Sequence, residues 1–154
     1  MLPKPANPTP MLRHYLEVKA QHPDALLFYR MGDFFELFFE DAQRAAPLLE
    51  VALTARGRGT DNETPMCGVP YHALEAYVGK VLRAGLKVAV CDQMEDPATA
   101  KGLVKREVTR VISPGTFTDA AYLDAKEPAF LMAVLPSDPK ASPLVGAALL
   151  DVST

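Results

Sequence analysis

Apolar residues follow two different spacings along the chain, and these spacings alternate. Steps of three and four residues, typical of an amphipathic helix, occur in 10–22 and in 70–85, where Leu74, Val78 and Val81 form one stripe. Short apolar runs next to turn-forming residues, typical of buried strands, occupy 25–31, 86–94 and 103–112. This alternation predicts an α/β fold of the α+β type, in which a mixed β-sheet is flanked by helices.

A further helix is predicted over 40–53, although it contains Pro47. Because proline has no backbone N–H to donate, the helix is expected to end or kink there. The turn-rich segment 56–63 follows as a loop, with possible strands on either side at 52–55 and 64–69.

The pattern changes after Thr118. A polar segment is followed by two apolar runs, 129–135 and 144–152, which predict a β-hairpin. Since two strands are not stable alone, we expect the sequence to stop inside a second domain. The predicted organisation is a proline-rich, disordered lead-in at 1–10, a first domain at 11–117, a linker at 118–128 and the truncated start of a second domain at 129–154.

The segment RMGDFFELFFEDA, residues 30–42, places Glu36 in the middle of large apolar side chains. One interpretation is a helix start, with Asp33 as the N-cap and Glu36 completing a capping box. The other is a strand after a turn at Gly32, in which Phe34 and Glu36 point to the same face. The pattern alone leaves both open. In the strand, Phe35, Leu37 and Phe39 would share the opposite, core-facing side.

Composition narrows the class of protein but not its function. The hydrophobic content of 49% and charged content of 23% are those of a globular protein, and no apolar run is long enough to span a membrane. Cys67 and Cys91 have no CxxC spacing, so we interpret them as reduced, buried thiols of a cytoplasmic protein. The three histidines are scattered, which argues against zinc.

The net charge of −3 does not indicate nucleic acid for the chain as a whole. Two basic clusters stand out locally, and a solvated face is the simpler interpretation of each. An acidic cluster after a predicted strand allows an alternative function, a metal-dependent nuclease. The basic clusters are Arg56 with Arg58, and Lys101 with Lys105, Arg106 and Arg110; the acidic cluster is Asp92, Glu95 and Asp96.

Three long blocks resemble the amino-terminal domain of the MutS family of bacterial DNA mismatch repair proteins. They are FYRMGDFFELFFEDA, TPMCGVPYHALEAYVGKVLRAGLKVAVCDQMEDP and AKGLVKREVTRVISPGT, in matching order. The resemblance implies mismatch recognition by the family's Phe-x-Glu motif. That motif falls on Phe34 and Glu36, which would be the wedge and the base-bonding group. The chain departs from the family pattern at Pro47, Cys67 and Ser113, none of which belongs to the motif.

The resemblance also implies mismatched double-stranded DNA as the partner and no catalytic activity in this part of the protein. For the full-length protein it implies an ATPase that binds ATP and Mg²⁺, a homodimer and a partnership with MutL. A different class, a protein-binding module, would require the Phe34 ring to be buried. Additional DNA contacts are expected from Phe35, Arg58, Met66, Lys105, Arg106 and Arg110, with a core position equally open for Met66.

Overall fold

The computed structural model describes residues 7–60, 63–96, 98–100, 102–114, 130–135 and 146–151. The chain divides into two compact units, Met1–Ser113 and Pro114–Thr154. Most of the predicted lead-in and the whole predicted linker 118–128 lie outside the described residues, so those boundaries stay predictions. The elements of the first unit are α1 (Pro10–Gln21), β1 (Ala25–Met31), β2 (Phe34–Phe38), α2 (Phe39–Leu49), β3 (Thr54–Arg56), β4 (Thr64–Pro70), a 3-10 turn (Tyr71–Ala73), α3 (Leu74–Arg83), β5 (Lys87–Gln93) and β6 (Arg106–Ile112).

These strands form one six-stranded sheet in the order β3-β4-β2-β1-β5-β6. Strands β1 and β5 pair in parallel, whereas every other neighbouring pair in this sheet is antiparallel. The parallel pair is joined by a long connection that contains α3, as parallel strands require. The predicted mixed sheet flanked by helices is confirmed.

Helix α1 covers one face of the sheet. It begins after Thr9, whose hydroxyl accepts a hydrogen bond from the Leu12 backbone N–H at 3.4 Å. Its apolar stripe packs on side chains that share this face because they alternate along β1, β2 and β5. The alternate residues of the same strands face the helices α2 and α3. The core under α1 consists of Met11, Leu12, Tyr15, Val18, Ala25, Leu27, Tyr29, Phe38, Ala89 and Cys91.

A buried carboxylate connects the elements around the end of β2. Asp41 accepts a hydrogen bond from the Leu27 backbone N–H at 3.0 Å, and its other oxygen lies 3.0 Å from Lys19 Nζ. The Tyr15 hydroxyl lies 3.4 Å from Asp41 and accepts a hydrogen bond from the Phe38 backbone N–H at 3.3 Å. Since a buried charge is tolerated only when it is paired, this network fixes α1, β1 and β2 relative to one another.

Helix boundaries differ from the prediction by a few residues. Helix α2 begins at Phe39, which has a φ of 55°, and ends at Leu49, two residues after Pro47. The expectation that the helix ends at Pro47 is therefore wrong, since Pro47 lies inside it and the helix stops where Glu50 adopts a left-handed conformation with a φ of 58°. Phe39 is only half-buried and belongs to α2, so its predicted place on the core side of an extended strand is wrong. The predicted helix 70–85 is a 3-10 turn followed by α3.

Strand β6 begins at Arg106 and not at Leu103 as predicted. Gly102 has a φ of 103°, which an extended strand does not accommodate, and the Leu103 side chain is exposed. The apolar run Leu103-Val104 therefore belongs to the loop before the strand.

The second unit contains the predicted hairpin. Strands β7 (Phe130–Leu135) and β8 (Gly146–Asp151) pair antiparallel, from Phe130 opposite Asp151 to Leu135 opposite Gly146. Within the described residues, no helix is both long and apolar enough to cross a membrane.

Both cysteines are buried and neither forms a disulfide, as predicted. Burial raises the pKa of Cys67 and of Cys91 to about 11, so both thiols stay protonated at neutral pH.

Candidate functional site

A tight turn sets the position of Phe34. Met31 pairs with Phe34, so the β1–β2 hairpin closes through only two residues, Gly32 and Asp33. Gly32 has a φ of 60°, a conformation that favours glycine at this position of a two-residue hairpin loop. The Asp33 carbonyl accepts a hydrogen bond from the Tyr71 backbone N–H at 2.9 Å, which joins the turn to the end of β4.

The segment after this turn is a strand, and the capping-box interpretation is wrong. Phe35 and Leu37 are buried against the core, whereas the Phe34 ring on the opposite face is 47% exposed. Phe38 shares the Phe34 face but is buried, because the Tyr15 ring of α1 packs edge-on against it at 5.0 Å. Helix α1 thus covers one end of this face, and Phe34 stands free at the other. The exposed ring argues against a protein-binding module that would bury it.

Glu36 lies one step inward from Phe34 on the same face. Its strand neighbours are Tyr29 on β1 and Gly68 on β4, and its side chain is 18% exposed. The nearest cationic atom is Arg56 Nη1, which lies 3.8 Å from Glu36 Oε2. That separation allows an ion pair but exceeds hydrogen-bond length, and Oε2 is buried without a hydrogen-bond partner.

This environment disfavours the charge of Glu36. Burial raises the pKa of its carboxyl, and the opposing effect of the Arg56 guanidinium is the smaller of the two. A carboxyl group with a raised pKa, one oxygen of which has no hydrogen-bond partner, can take up a proton and form a hydrogen bond with a polar group that approaches it.

Gly68 leaves space between the two side chains of the motif. A Cβ built there would lie 3.6 Å from Glu36 Cγ and 3.8 Å from Phe34 Cδ1. A methyl group at this position would therefore be in van der Waals contact with both side chains, and the glycine leaves that space empty.

The predicted basic contacts have different surroundings. Arg58 is exposed in the turn after β3, where the structure leaves it accessible to a ligand. Lys105 and Arg110 are also exposed, but each already forms an ion pair: Lys105 Nζ lies 2.8 Å from Glu107, and Arg110 Nη2 lies 2.6 Å from Glu75.

Arg106 is buried, with only 8% of its surface exposed. Its Nε donates to the Arg30 carbonyl at 2.7 Å and its Nη1 donates to the Val104 carbonyl at 2.8 Å. The guanidinium also lies 5.1 Å from the centre of the Tyr29 ring. These contacts connect β6 to β1, so Arg106 serves the fold and is not free to reach a phosphate. A basic residue in a polar-looking strand gave no sign of this burial in the sequence.

Met66 and Phe35 also belong to the protein interior. Met66 is half-buried and packs against the core under α1, which favours the core alternative for this residue. Phe35 is only 2% exposed, so its ring packs in the core on the face of β2 opposite to Phe34 and is not accessible to a ligand.

The acidic cluster is not arranged as a metal site. Asp92 lies 3.6 Å from Arg30 Nη1, while Glu95 and Asp96 accept hydrogen bonds from the backbone N–H groups of Lys105 and Ala98 at 2.7 and 2.8 Å. Across the described residues, which include all three carboxylates, no group of acidic, histidine or cysteine side chains could hold a metal ion. These three carboxylates therefore give no support to the alternative of a metal-dependent nuclease.

Arg56 is the residue whose place in the site was not predicted. Arg56 and Arg58 form one basic cluster in the sequence, and nothing there separates their roles. The separation comes from strand pairing, since β3 pairs with β4 and β4 with β2, which brings Arg56 within reach of Glu36.

The chain is similar to known proteins over most of its length. The MutS domain I family profile matches residues 9–121. The DNA mismatch repair protein MutS of Syntrophobacter fumaroxidans is 58% identical over 146 residues, which cover 95% of this chain and 16% of that protein. The protein of the same name from Myxococcus xanthus is 53% identical over 149 residues, covering 97% of this chain and 16% of the relative. The chain thus spans only about a sixth of the length of these curated relatives.

Proposed function

The chain belongs to the MutS domain I family, and from this premise we propose that it recognises mispaired or unpaired bases in duplex DNA. Phe34 acts as the wedge that enters the base stack, and Glu36 bonds the displaced base. The observation that carries the proposal is the pairing of an exposed aromatic ring with a half-buried, unsatisfied carboxylate on one open face of β2.

The chemistry of a phenyl ring suits a wedge. Unstacking a base step costs a few kcal/mol, and stacking on an aromatic ring returns about 1–3 kcal/mol per base. A mispaired base has already lost part of its pairing and stacking, so it is displaced at lower cost than a paired one. Selectivity for mismatched over paired duplex then arises mainly because the mismatched duplex is deformed at lower cost when the Phe34 ring enters it.

Glu36 adds discrimination through its charge. An ionised carboxylate is repelled by the phosphates of DNA, so a paired duplex that offers it no bond is disfavoured. A displaced base with an acceptor atom gives the protonated carboxyl a hydrogen-bond partner. The surroundings that already raise the pKa of Glu36 in the free chain support this proton uptake.

The remaining assignments concern the full-length protein. By family membership, ATP with Mg²⁺, a homodimer, MutL as a partner and a cytoplasmic location are proposed for it, with no catalysis in this part. Arg58, Lys105 and Arg110 are proposed to contact phosphates, which supplies affinity without sequence reading. Lys105 and Arg110 would have to exchange an existing ion pair for the phosphate, and this exchange is inexpensive at the surface.

The proposal is tested by Phe34→Ala in the full-length protein. Loss of ring stacking should weaken binding to a duplex with one mispaired or unpaired base by about 1–3 kcal/mol, or roughly 5- to 150-fold. Binding to the fully paired duplex should change little, because the ring does not enter an intact stack. Fluorescence anisotropy with the two duplexes measures both affinities.

Tyr71→Ala is the matched control. Tyr71 is an aromatic residue 46% exposed at the same end of the sheet, and its backbone bond to Asp33 survives the substitution. The control should leave the ratio of the two affinities unchanged. An unchanged ratio in Phe34→Ala as well, or an equal loss on both duplexes, would contradict the wedge assignment.

A further inference from the structure

Arg56 approaches Glu36 from the edge of the sheet. It ends β3, the outermost strand, and its side chain is 46% exposed while the Glu36 side chain is 18% exposed. Arg56 is thus the more solvent-exposed member of the pair. Because Arg56 Nη1 stays 3.8 Å from Oε2, the pair has the attraction of opposite charges without a hydrogen bond to hold it.

Other groups around Glu36 supply no competing charge. Its neighbour on β1 is Tyr29, whose pKa burial raises to about 12, so the phenol is neutral, and its neighbour on β4 is Gly68. The ionisable groups beyond Tyr29 are engaged with Tyr29 itself: His14 Nδ1 lies 2.8 Å from its hydroxyl, and the Arg106 guanidinium lies over its ring. Within the described part of the chain, Arg56 is the cation that acts on Glu36.

An arginine in this position can exchange partners. The five N–H donors of a guanidinium can form two parallel hydrogen bonds to a phosphate, whereas Arg56 lies 3.8 Å from the Glu36 carboxylate and forms none with it. In addition, an ion pair in which one side chain is half-exposed is weak. We expect a duplex bound to the Phe34 face to place phosphates near Arg56, which ends the edge strand β3. If the guanidinium bonds one of them, Glu36 loses its counter-ion at the moment when DNA approaches.

We propose that Arg56 is a positioning residue that keeps Glu36 ionised in the free protein and transfers to a DNA phosphate on binding, which lets Glu36 take a proton from solvent. This inference rests on the proposed function, because it assigns a consequence of DNA contact to the Phe34–Glu36 site. Every duplex offers a phosphate to Arg56, but only a displaced base offers the protonated Glu36 a hydrogen-bond acceptor, so a paired duplex still meets the ionised carboxylate.

The experiment compares Arg56→Gln, Arg56→Lys and Arg58→Gln in the full-length protein, each with and without Glu36→Gln. Affinity for a mismatched duplex is measured from pH 6 to 8.5 at constant ionic strength, and then across salt concentrations at one pH. Arg58, itself a proposed phosphate contact, is the matched control for the pH profile alone, because it lies two positions away without the ion pair to Glu36. Thermal unfolding checks that each variant is folded.

In the wild type, affinity should fall as pH rises, because Glu36 is ionised when free and protonated when bound. Arg56→Gln removes the counter-ion, so the pKa of Glu36 in the free protein moves toward its value in the complex and the pH dependence becomes shallower. Arg56→Lys should restore the wild-type profile. Arg56→Gln should also lower the slope of log affinity against log salt by about 1, as expected for one lost phosphate contact.

Arg58→Gln should keep the wild-type pH profile, and in the Glu36→Gln background Arg56→Gln should cause no further pH change. The inference is overturned if Arg56→Gln retains the wild-type pH profile or the wild-type salt slope, or if its pH effect persists without the Glu36 carboxyl. Failure of the proposed function is a separate result, since it appears as an unchanged mismatch preference in Phe34→Ala. A preference that requires Phe34, together with Arg56→Gln having the same pH profile as Arg58→Gln, would overturn this inference alone.

Discussion

Burial raises the pKa of Glu36 because the strands on both sides shield its carboxyl from water, while the Arg56 guanidinium remains 3.8 Å away. A carboxyl whose pKa is higher in the folded than in the unfolded chain stabilises the fold fully only below the unfolded value. That contribution is lost as pH rises through the folded value. At neutral pH the Glu36 charge therefore opposes folding, a cost commonly found where a side chain is kept for binding.

Glu36→Gln should consequently stabilise the chain at neutral pH. The amide has nearly the same shape without the buried charge, and we expect a gain of about 0.5–1 kcal/mol in the free energy of unfolding. Urea denaturation at pH 7.5 measures this gain. The difference between the two proteins should narrow as pH falls toward 4, where the wild-type carboxyl becomes protonated. A substitution that destabilises at pH 7.5 would show that the Arg56 pairing outweighs the burial.

At the scale of elements, features that depend on local sequence patterns were predicted correctly, whereas features that depend on contacts between distant segments were not. The periodicity of α1 and the apolar run of β1 are local properties, and both elements lie where the sequence predicts them. Alternation along β2 placed Phe34 and Glu36 on one face only in the strand interpretation, which the pattern alone did not separate from a helix start. The Arg56–Glu36 pair and the burial of Arg106 depend on which strands are neighbours and in what register. Such pairings join residues distant along the chain, and no local pattern specifies them.

The β1–β2 turn offers a test of how this hairpin places the wedge. Gly32 has a φ of 60°, and a Cβ added there meets nothing within 4 Å, so Gly32→Ala acts through backbone strain alone. That strain should destabilise the chain by about 1 kcal/mol. Because the turn directly precedes Phe34, the substitution should also reduce the preference of the full-length protein for mismatched over paired duplex.

Gly85→Ala controls for strain without a change at the site. Gly85 has a φ of 75° and equally open surroundings, but it follows α3. Its substitution should cost similar stability in urea denaturation and leave the duplex preference unchanged. If both alanine variants affect the preference to the same degree, the effect is one of general stability and the turn does not position the wedge.

At the scale of the whole molecule, the six-stranded unit contains its own core. Side chains from α1, β1, β2 and β5 are buried on one face, and α2 and α3 cover the other. The β7–β8 hairpin has no comparable interior among its described residues, since all of β7 is exposed. A core of this kind should support cooperative folding without help from the hairpin.

A chain that ends after residue 114 should therefore fold cooperatively, with a urea midpoint close to that of the 154-residue chain. A hairpin alone is marginally stable in water, so its removal should take away little folding free energy. Backbone amide NMR spectra of the two chains provide the second measurement, and signals from β1, β2 and β5 should superimpose. A large fall in the midpoint, or a loss of dispersed signals from these strands, would show that residues 115–154 stabilise the sheet. With the sheet intact, the shortened chain would present Phe34, Glu36 and Arg56 in the same arrangement, and chemical-shift changes on adding a mismatched duplex would then report contacts of this unit by itself.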